Sequence, residues 1–330
     1  MRSTARTRSA FSRWKAAAST TRDLGALPGA VLTRAASSHI RVGTFQFFAV
    51  RGDEDSLRRL TDHVIARHYP QAEGPLSLLD HVVARQAETI AQWMALGFIH
   101  GVMNTDNMAV SGETIDYGPC AFMDGYHPDT VFSSIDHAGR YAWAQQPQMA
   151  VWNLAQLATC LIPLMGERDA AIEAATRSVH SFAPLYQAAW TRRFGEKLGL
   201  TDCDKTGLAL IEELLSLMAR QRADFTRVFA GLQDGRARDE FTDATEFAEW
   251  EARWRAHHPD AELMTRANPQ RIPRNHRIEE VIASAVADDM APFERLFQAV
   301  IHPHELRKEW AELSLAPQQD QIVRQTFCGT

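Results

Sequence analysis

The chain has 330 residues, a formal net charge of -6 and 45% apolar residues. That length suits two domains or one large helix-rich domain with a real core, and the acidic balance argues against a protein whose main task is to coat nucleic acid or an anionic membrane. Cys120, Cys160, Cys203 and Cys328 lack CxxC spacing, so neither a zinc site nor a disulfide scaffold is indicated and a reducing compartment is the default. The longest apolar stretch, near Leu157 to Met165, is interrupted by Pro163 and falls far short of the roughly 20 residues of a membrane span, so a soluble protein is expected.

Residues 1–26 open the chain with Arg2, Arg6, Arg8, Arg13, Lys15 and Arg22 among Ser, Thr and Ala, and no acidic residue occurs before Asp23. This start reads as disorder or the remnant of a preceding lobe, with a mitochondrial transit peptide as the second reading. Residues 27–330 form the expected main domain. Pro28-Gly29 marks a turn, and the β-branched and aromatic residues of Ala30–Arg34 and Val42–Val50 predict two short strands. The spacing of Leu57, Leu60, Val64 and Ile65 predicts a helix over Asp53–His68, stopped by Pro70. A second helix is predicted from Leu76 to Leu96, ended by Gly97.

Phe98–Pro119 alternates short apolar pieces with Gly, Asn and Asp, the pattern of a functional loop followed by a hairpin around Ser111-Gly112. Beyond it the periodicity is helical over Met149–Leu164, Asp169–Phe194, Gly207–Leu232 and Phe247–His257. Ala267–Arg277 reads as irregular, and helices follow near Ile278–Asp288 and Pro292–Val300. The fold class is therefore α+β and predominantly α.

Chemistry concentrates in His100-Gly-Val-Met-Asn-Thr-Asp-Asn107 and in Ile115-Asp-Tyr-Gly118. Magnesium takes oxygen ligands, commonly one or two carboxylates plus substrate phosphates, so Asn107 and Asp116 on neighbouring loops can share a nucleotide-bound ion. The layout parallels a protein-kinase catalytic loop followed by its metal-binding Asp, but Val102 stands where a kinase holds its base. An aliphatic side chain takes no proton, which leaves Asp106 as the nearest carboxylate; it would either accept a proton or help hold the metal. Judged on spacing alone, the three residues fit loop stabilisation equally well. Arg34 and Arg41 flank a polar segment, and guanidinium forks suit a polyphosphate. Trp250 and Trp254, at i and i+4, read as core or interface, and His63, His68 and His81 lack metal-ligand spacing.

Taken together, Pro28-Gly-Ala-Val-Leu-Thr-Arg34, Ser38-His-Ile-Arg-Val-Gly-Thr-Phe45, the two loops above, Gly139-Arg-Tyr-Ala-Trp143, Gln146-Pro147, Trp152-Asn-Leu-Ala155, Asn268-Pro269 and Arg274-Asn275 resemble the protein adenylyltransferase family named for selenoprotein O. The resemblance spans about Leu27 to the C-terminus. It implies a kinase-like C-lobe with a short β region, binding ATP flipped so that AMP passes to Ser, Thr or Tyr hydroxyls of other proteins. It further implies Asp106 as proton acceptor, Asn107 and Asp116 as Mg2+ ligands (Mn2+ as the alternative ion), and Arg34, Arg41 and Asp116 as nucleotide contacts. Protein substrates and ATP are the implied partners, without nucleic acid or membrane, in a bacterial cytoplasm, the mitochondrial matrix standing second.

The resemblance also implies a smaller preceding lobe with a glycine-containing loop and a phosphate-binding Lys. Before Arg34 the chain has only Lys15, so the expectation is a chain lacking much of that lobe; an inactive pseudoenzyme and an atypical kinase are the alternative readings. Cys328, near the C-terminus, matches a position where the family often carries selenocysteine or cysteine, which implies a redox partner such as Cys120.

Overall fold

A computed structural model describes residues 33–327 in full and the backbone of residues 19–22 and 25–28. The calls on Lys15 and Cys328 lie outside the described residues. Strands β1 (Ser19–Arg22) and β2 (Gly25–Pro28) form an antiparallel hairpin with Thr20 opposite Leu27. This pairing spans the expected boundary between residues 26 and 27. Of Ala30–Arg34, only Thr33 and Arg34 are described.

Val42–Val50 is not a strand. Val42–Ala49 is helix α1, with the Arg41 amide donating to the Thr44 hydroxyl at its start. β-propensity reports fit to a pleated surface, and no such surface is offered here: Val42 and Phe45 enter the core at i and i+3. The first amides of α1 meet a loop, Val42 N–H donating to Met108 O (3.0 Å) and Gly43 N–H to Thr105 O (2.7 Å). Tertiary partners thus decide the segment's conformation.

Helix α2 (Glu54–His68) begins where expected, with Asp53 accepting from Ser56 N–H. Helix α3 (Pro75–Leu96) is the spine, nearly half of its side chains buried, and it ends on Gly97 at φ 67°. A Cβ at Gly97 would stand 2.8 Å from the Phe225 ring, so both backbone conformation and space require glycine there. A two-residue pair, β3 (Phe98–Ile99) with β4 (Ala121–Phe122), brackets the loops between them.

Helix α4 (Gln146–Leu161) gives way to a 3-10 turn over Ile162–Leu164, since Pro163 has no amide to continue the ladder. The single helix expected over Asp169–Phe194 is two, α5 (Arg168–His180) and α6 (Phe182–Lys197). Pro184 explains the break: it cannot donate to the His180 carbonyl, and its ring would crowd that position. Gly207–Leu232 is likewise split into α7 (Lys205–Gln221) and α8 (Phe225–Gly231), because Arg222 adopts φ 53° and Asp224 caps the new helix through Arg227 N–H (2.9 Å).

Helices α9 (Thr245–Arg255), α10 (Ala261–Ala267), α11 (Asn275–Val286) and α12 (Ala291–Ile301) complete the chain's helical part. Trp250 and Trp254 stack at 5.6 Å, fully buried, and donate to Leu210 O (2.9 Å) and Leu198 O (2.8 Å); their role is in the core. Helices α3, α4, α5 and α6 pack on one another around one large core, and α12 with Trp310 and Leu313 forms a small second cluster. Among the described residues no helix is long and apolar enough to cross a membrane.

Candidate functional site

The site begins where α3 stops. His100, fully buried, holds the loop that follows: its backbone N–H donates to Gln146 Oε1 (3.0 Å) and its Nε2–H to the Ile115 carbonyl (2.8 Å). A carbonyl only accepts, so Nε2 carries the proton and Nδ1 is free to receive the Val102 amide, a longer contact of 3.4 Å. Burial pushes the His100 pKa below the ordinary value, against its hydrogen bond to Ile115 and the nearby Asp116 charge, which favours this neutral tautomer. Gly101 follows at φ 84°, and a Cβ there would stand 2.9 Å from Pro119 O, so only glycine lets the two loops approach this closely.

The same chain of bonds reaches Asn107, whose Nδ2 donates to Val102 O at 3.0 Å. That bond engages the amide nitrogen, and Oδ1, which can only accept, is the Asn107 atom able to ligate a cation. Met108 bridges Thr114 in antiparallel register around the turn at Gly112 (φ 78°), a register that sets Asp106 and Asn107 on one arm across from Ile115 and Asp116 on the other. Asp116 adopts φ 57°, a left-handed conformation that short polar side chains tolerate at some cost and that persists only where the surroundings impose it.

Arg34 and Arg41 arrive on a strap laid over this hairpin. Ser37 N–H donates to Glu113 Oε2 (3.1 Å), Arg67 Nε to Ser37 O (2.8 Å), and His68 Nε2 meets Ser38 Oγ (2.8 Å). Val110 N–H donates to Ile40 O (3.0 Å), and Arg41 bridges Ala109. The strap thereby brings Arg34 Nη1 to 3.8 Å from Asp116 Oδ1, in a pair about half exposed on the arginine side. Arg41 is half-buried, and its Nε–H has no acceptor among the described residues. Asp106 is exposed, its backbone packed under Gly43 of α1, whose Cβ would meet it at 3.4 Å.

Of the five sequence-derived site residues, the structure brings Arg34 to Asp116 directly, sets Arg41 beside the hairpin through its bridge to Ala109, and leaves Asp106 exposed next to Asn107 on the same loop. The donor set fits magnesium: Asn107 Oδ1 and the Asp116 carboxylate are hard oxygen ligands, and the orphaned Arg41 N–H fits an oxyanion beside them. Among the described residues no three His, Cys, Asp or Glu side chains converge as a metal cage, and a nucleotide-bound ion does not require one.

The residues that brace this loop include Gln146, Asn153 and Tyr141, which the sequence offered as carriers of the family resemblance without a role. Gln146 Nε2 donates to Phe98 O (2.9 Å), Asn153 Nδ2 to Met103 O (2.8 Å), Tyr141 Oη to Asn104 Oδ1 (2.8 Å), and Thr105 Oγ1 to Gln46 Oε1 (2.6 Å). A signal existed for two of them: Gln146 and Asn153 are polar positions on the apolar stripe of α4 that includes Met149, Ala150, Leu154 and Leu157, and a buried amide needs partners. The Cys120 thiol donates to Tyr117 O (3.2 Å) and is pushed up to about 12 by burial and by Asp116, which holds it in the unreactive protonated form. Thr326, two residues before Cys328, donates through its hydroxyl to Pro119 O.

Acid should loosen this site. Burial lowers the pKa of His68, His100 and His276, so on acidification below about 6.5 the unfolded chain takes up protons that the folded chain resists, and stability falls. Urea unfolding at pH 7.5 and pH 5.5 is expected to give the lower midpoint in acid, with a smaller difference in His100→Asn; equal midpoints in the parent chain would contradict the assignment.

The fold and the site define a predominantly helical domain in which Asp116, on the second of two loops that follow the spine helix, meets Arg34 of the strap. The chain belongs to the protein adenylyltransferase SelO family, whose model matches residues 4–301. It is 56% identical over 311 residues to a protein nucleotidyltransferase YdiU of Ruegeria sp. (strain TM1040), covering 93% of this chain and 66% of that relative. A protein of the same name from Roseobacter denitrificans is 57% identical over 309 residues, covering 92% and 65%, and one from Ruegeria pomeroyi is 53% identical over 316 residues, covering 94% and 67%. The chain spans about two thirds of the length of these curated relatives.

Proposed function

We propose that this chain carries the catalytic centre of a protein nucleotidyltransferase that moves AMP from ATP to Ser, Thr or Tyr hydroxyls, on a kinase-like C-lobe in a bacterial cytoplasm. The observation that carries the reading is the hydrogen-bonded path from Ile115 O through the His100 ring and Val102 to Asn107, which ties the Asn107 loop to the residue preceding Asp116. Membership in the family and the relatives' names support the same reading.

In this reading Asn107 Oδ1 and Asp116 hold Mg2+, or Mn2+ in its place. The ion supplies neutralisation of charge on the phosphate oxygens. Arg34 and Arg41 hold the non-reacting phosphate oxygens in forked contacts, and the free Arg41 Nε–H is one such donor. Asp106, exposed on the loop beside Asn107, accepts the proton of the incoming hydroxyl. The hydroxyl oxygen bonds to the α-phosphorus, the bond from that phosphorus to the oxygen bridging to the β-phosphate breaks, and pyrophosphate leaves. Which phosphorus lies in line with the hydroxyl separates AMP transfer from phosphate transfer.

The test is intact-mass analysis of a generic protein acceptor after incubation with the chain, ATP and Mg2+. Additions of AMP are expected, and their loss in Asp116→Ala. Additions of phosphate would replace this reading with that of an atypical kinase.

A further inference from the structure

A second basic site lies away from the loops, in a cleft of about 420 Å3 between the C-terminal ends of α3 and α6 and the segment leading from α10 to α11, bordered by the residues after α12. Its most unusual member is Lys197, 2% exposed. The ammonium group lies 4.3 Å from the centroid of the Phe229 ring and 5.5 Å from that of Phe225, and no carboxylate pairs with it among the described residues. Burial alone lowers its pKa to about 7. A buried lysine without a counter-ion is costly, and the two ring faces offset only part of that cost.

Two further donors on the cleft wall are unmatched. Arg271, also 2% exposed, gives its terminal nitrogens to backbone carbonyls, Nη1 to His302 O (3.0 Å) and Nη2 to Glu305 O (2.6 Å), while its buried Nε–H finds no acceptor among the described residues. Arg193 pairs with Glu88 at 3.1 Å through Nη2, and its buried Nε–H is likewise unmatched. The other charged residues at the cleft do not compensate: Arg266 turns to Glu262 (3.6 Å), Glu196 stands 4.0 Å from Arg192, and His304 Nδ1 meets Asn268 O (3.2 Å). Leu96, Phe122 and Ile272 add apolar surface to the lining.

A cleft lined by one buried cation without a counter-ion, two guanidinium N–H groups without acceptors and several hydrocarbon side chains has the chemistry of a receptor for an oxyanion attached to an apolar body. We propose that this cleft binds a small organic oxyanion, a carboxylate or a phosphate monoester, with its head on Lys197 and Arg271 and its body on the Phe122 and Ile272 wall. The proposal is independent of the nucleotide reading, because neither Lys197 nor Arg271 belongs to the loop site, and its test needs no ATP.

The chain has four lysines, so lysine labelled with carbon-13 at Cε resolves Lys197 directly, its signal identified by its loss in Lys197→Met. Benzoate, phenyl phosphate and benzyl alcohol are titrated separately to about 10 mM, well above a millimolar Kd. Benzoate, phenyl phosphate or both should shift the Lys197 signal and raise its titration midpoint, and which of them acts identifies the head group. Benzyl alcohol should do neither. By calorimetry, Lys197→Met, which replaces the ammonium with an apolar group of similar reach, should weaken binding of the active anion at least about tenfold, or about 1.4 kcal/mol. The proposal is overturned if neither anion moves the signal, if benzyl alcohol moves it equally, or if folded Lys197→Met binds as tightly as the parent chain.

Discussion

On the proposed nucleotidyltransferase reading, Asp106→Asn is expected to lower AMP transfer by about 10²–10⁴-fold while leaving Mg2+-dependent ATP binding within about twofold. Asparagine keeps the shape of the side chain and loses its capacity to take a proton. Asp106 is exposed and only its backbone is packed, against Gly43, so the substitution disturbs no core contact. Asp116→Ala should behave differently: it removes the carboxylate that faces Arg34 at 3.8 Å and that would hold the ion, so transfer and metal-dependent nucleotide binding fall together. Single-turnover mass spectrometry reads transfer, and calorimetry with a non-hydrolysable ATP analogue, with and without Mg2+, reads binding. If Asp106→Asn also abolishes metal-dependent binding, Asp106 is a metal ligand and the base lies elsewhere.

Arg274→Ala is expected to have the largest effect on stability, a loss of about 3–5 kcal/mol, the usual cost of leaving buried charge uncompensated. Arg274 has no exposed side-chain surface and joins four parts of the fold. Its Nη1 pairs with Asp124 just after β4 and with Asp224 Oδ2 (2.8 Å), while Nη2 reaches Asp224 Oδ1 and Ser314 O (both 3.2 Å). Asp224 also caps α8, and Phe225 N–H donates to Asp124 O (2.8 Å), so the two carboxylates lie close together.

Burial raises the Asp124 pKa, Arg274 opposes that rise and Asp224 adds to it. Without the guanidinium, Asp124 is pushed further toward its protonated form. A carboxyl whose folded pKa is raised stabilises the fold in acid and loses that contribution as pH rises through it, so the variant should lose less stability on acidification than the parent chain does. Urea unfolding at several pH values measures both effects, and Asp124→Asn in the Arg274→Ala background should recover part of the loss. A cost below about 1 kcal/mol would mean that the ion cluster is not what joins these segments.

Much of this protein was legible along the chain. Amphipathic spacing and punctuation located α2 and α3 within one or two residues, and the hairpin at Gly112 followed from its turn residues. The polar residues of the two loops identified Asp106, Asn107 and Asp116 as candidates because hard-cation chemistry uses few residue types. Proline was readable too, and Pro184 alone accounts for the break between α5 and α6. The division of α7 from α8 was not readable, since Arg222 and Asp224 interrupt the helix for partners far away in sequence, Asp224 serving Arg274.

The amino-acid order by itself determined the predominance of helix, the places where most helices start, and the residue types at the loop site, because these follow from spacing and from chemistry carried by each side chain. Folding alone decided that Val42–Ala49 is helical, that Arg34 meets Asp116, and that Gln146 and Asn153 brace the loop from a helix 46 residues beyond His100. The reason is physical. Hydrogen-bond and charge partners that are distant along the chain offset the cost of burying polar groups only when folding brings them together, and local periodicity carries no record of which partner will be met.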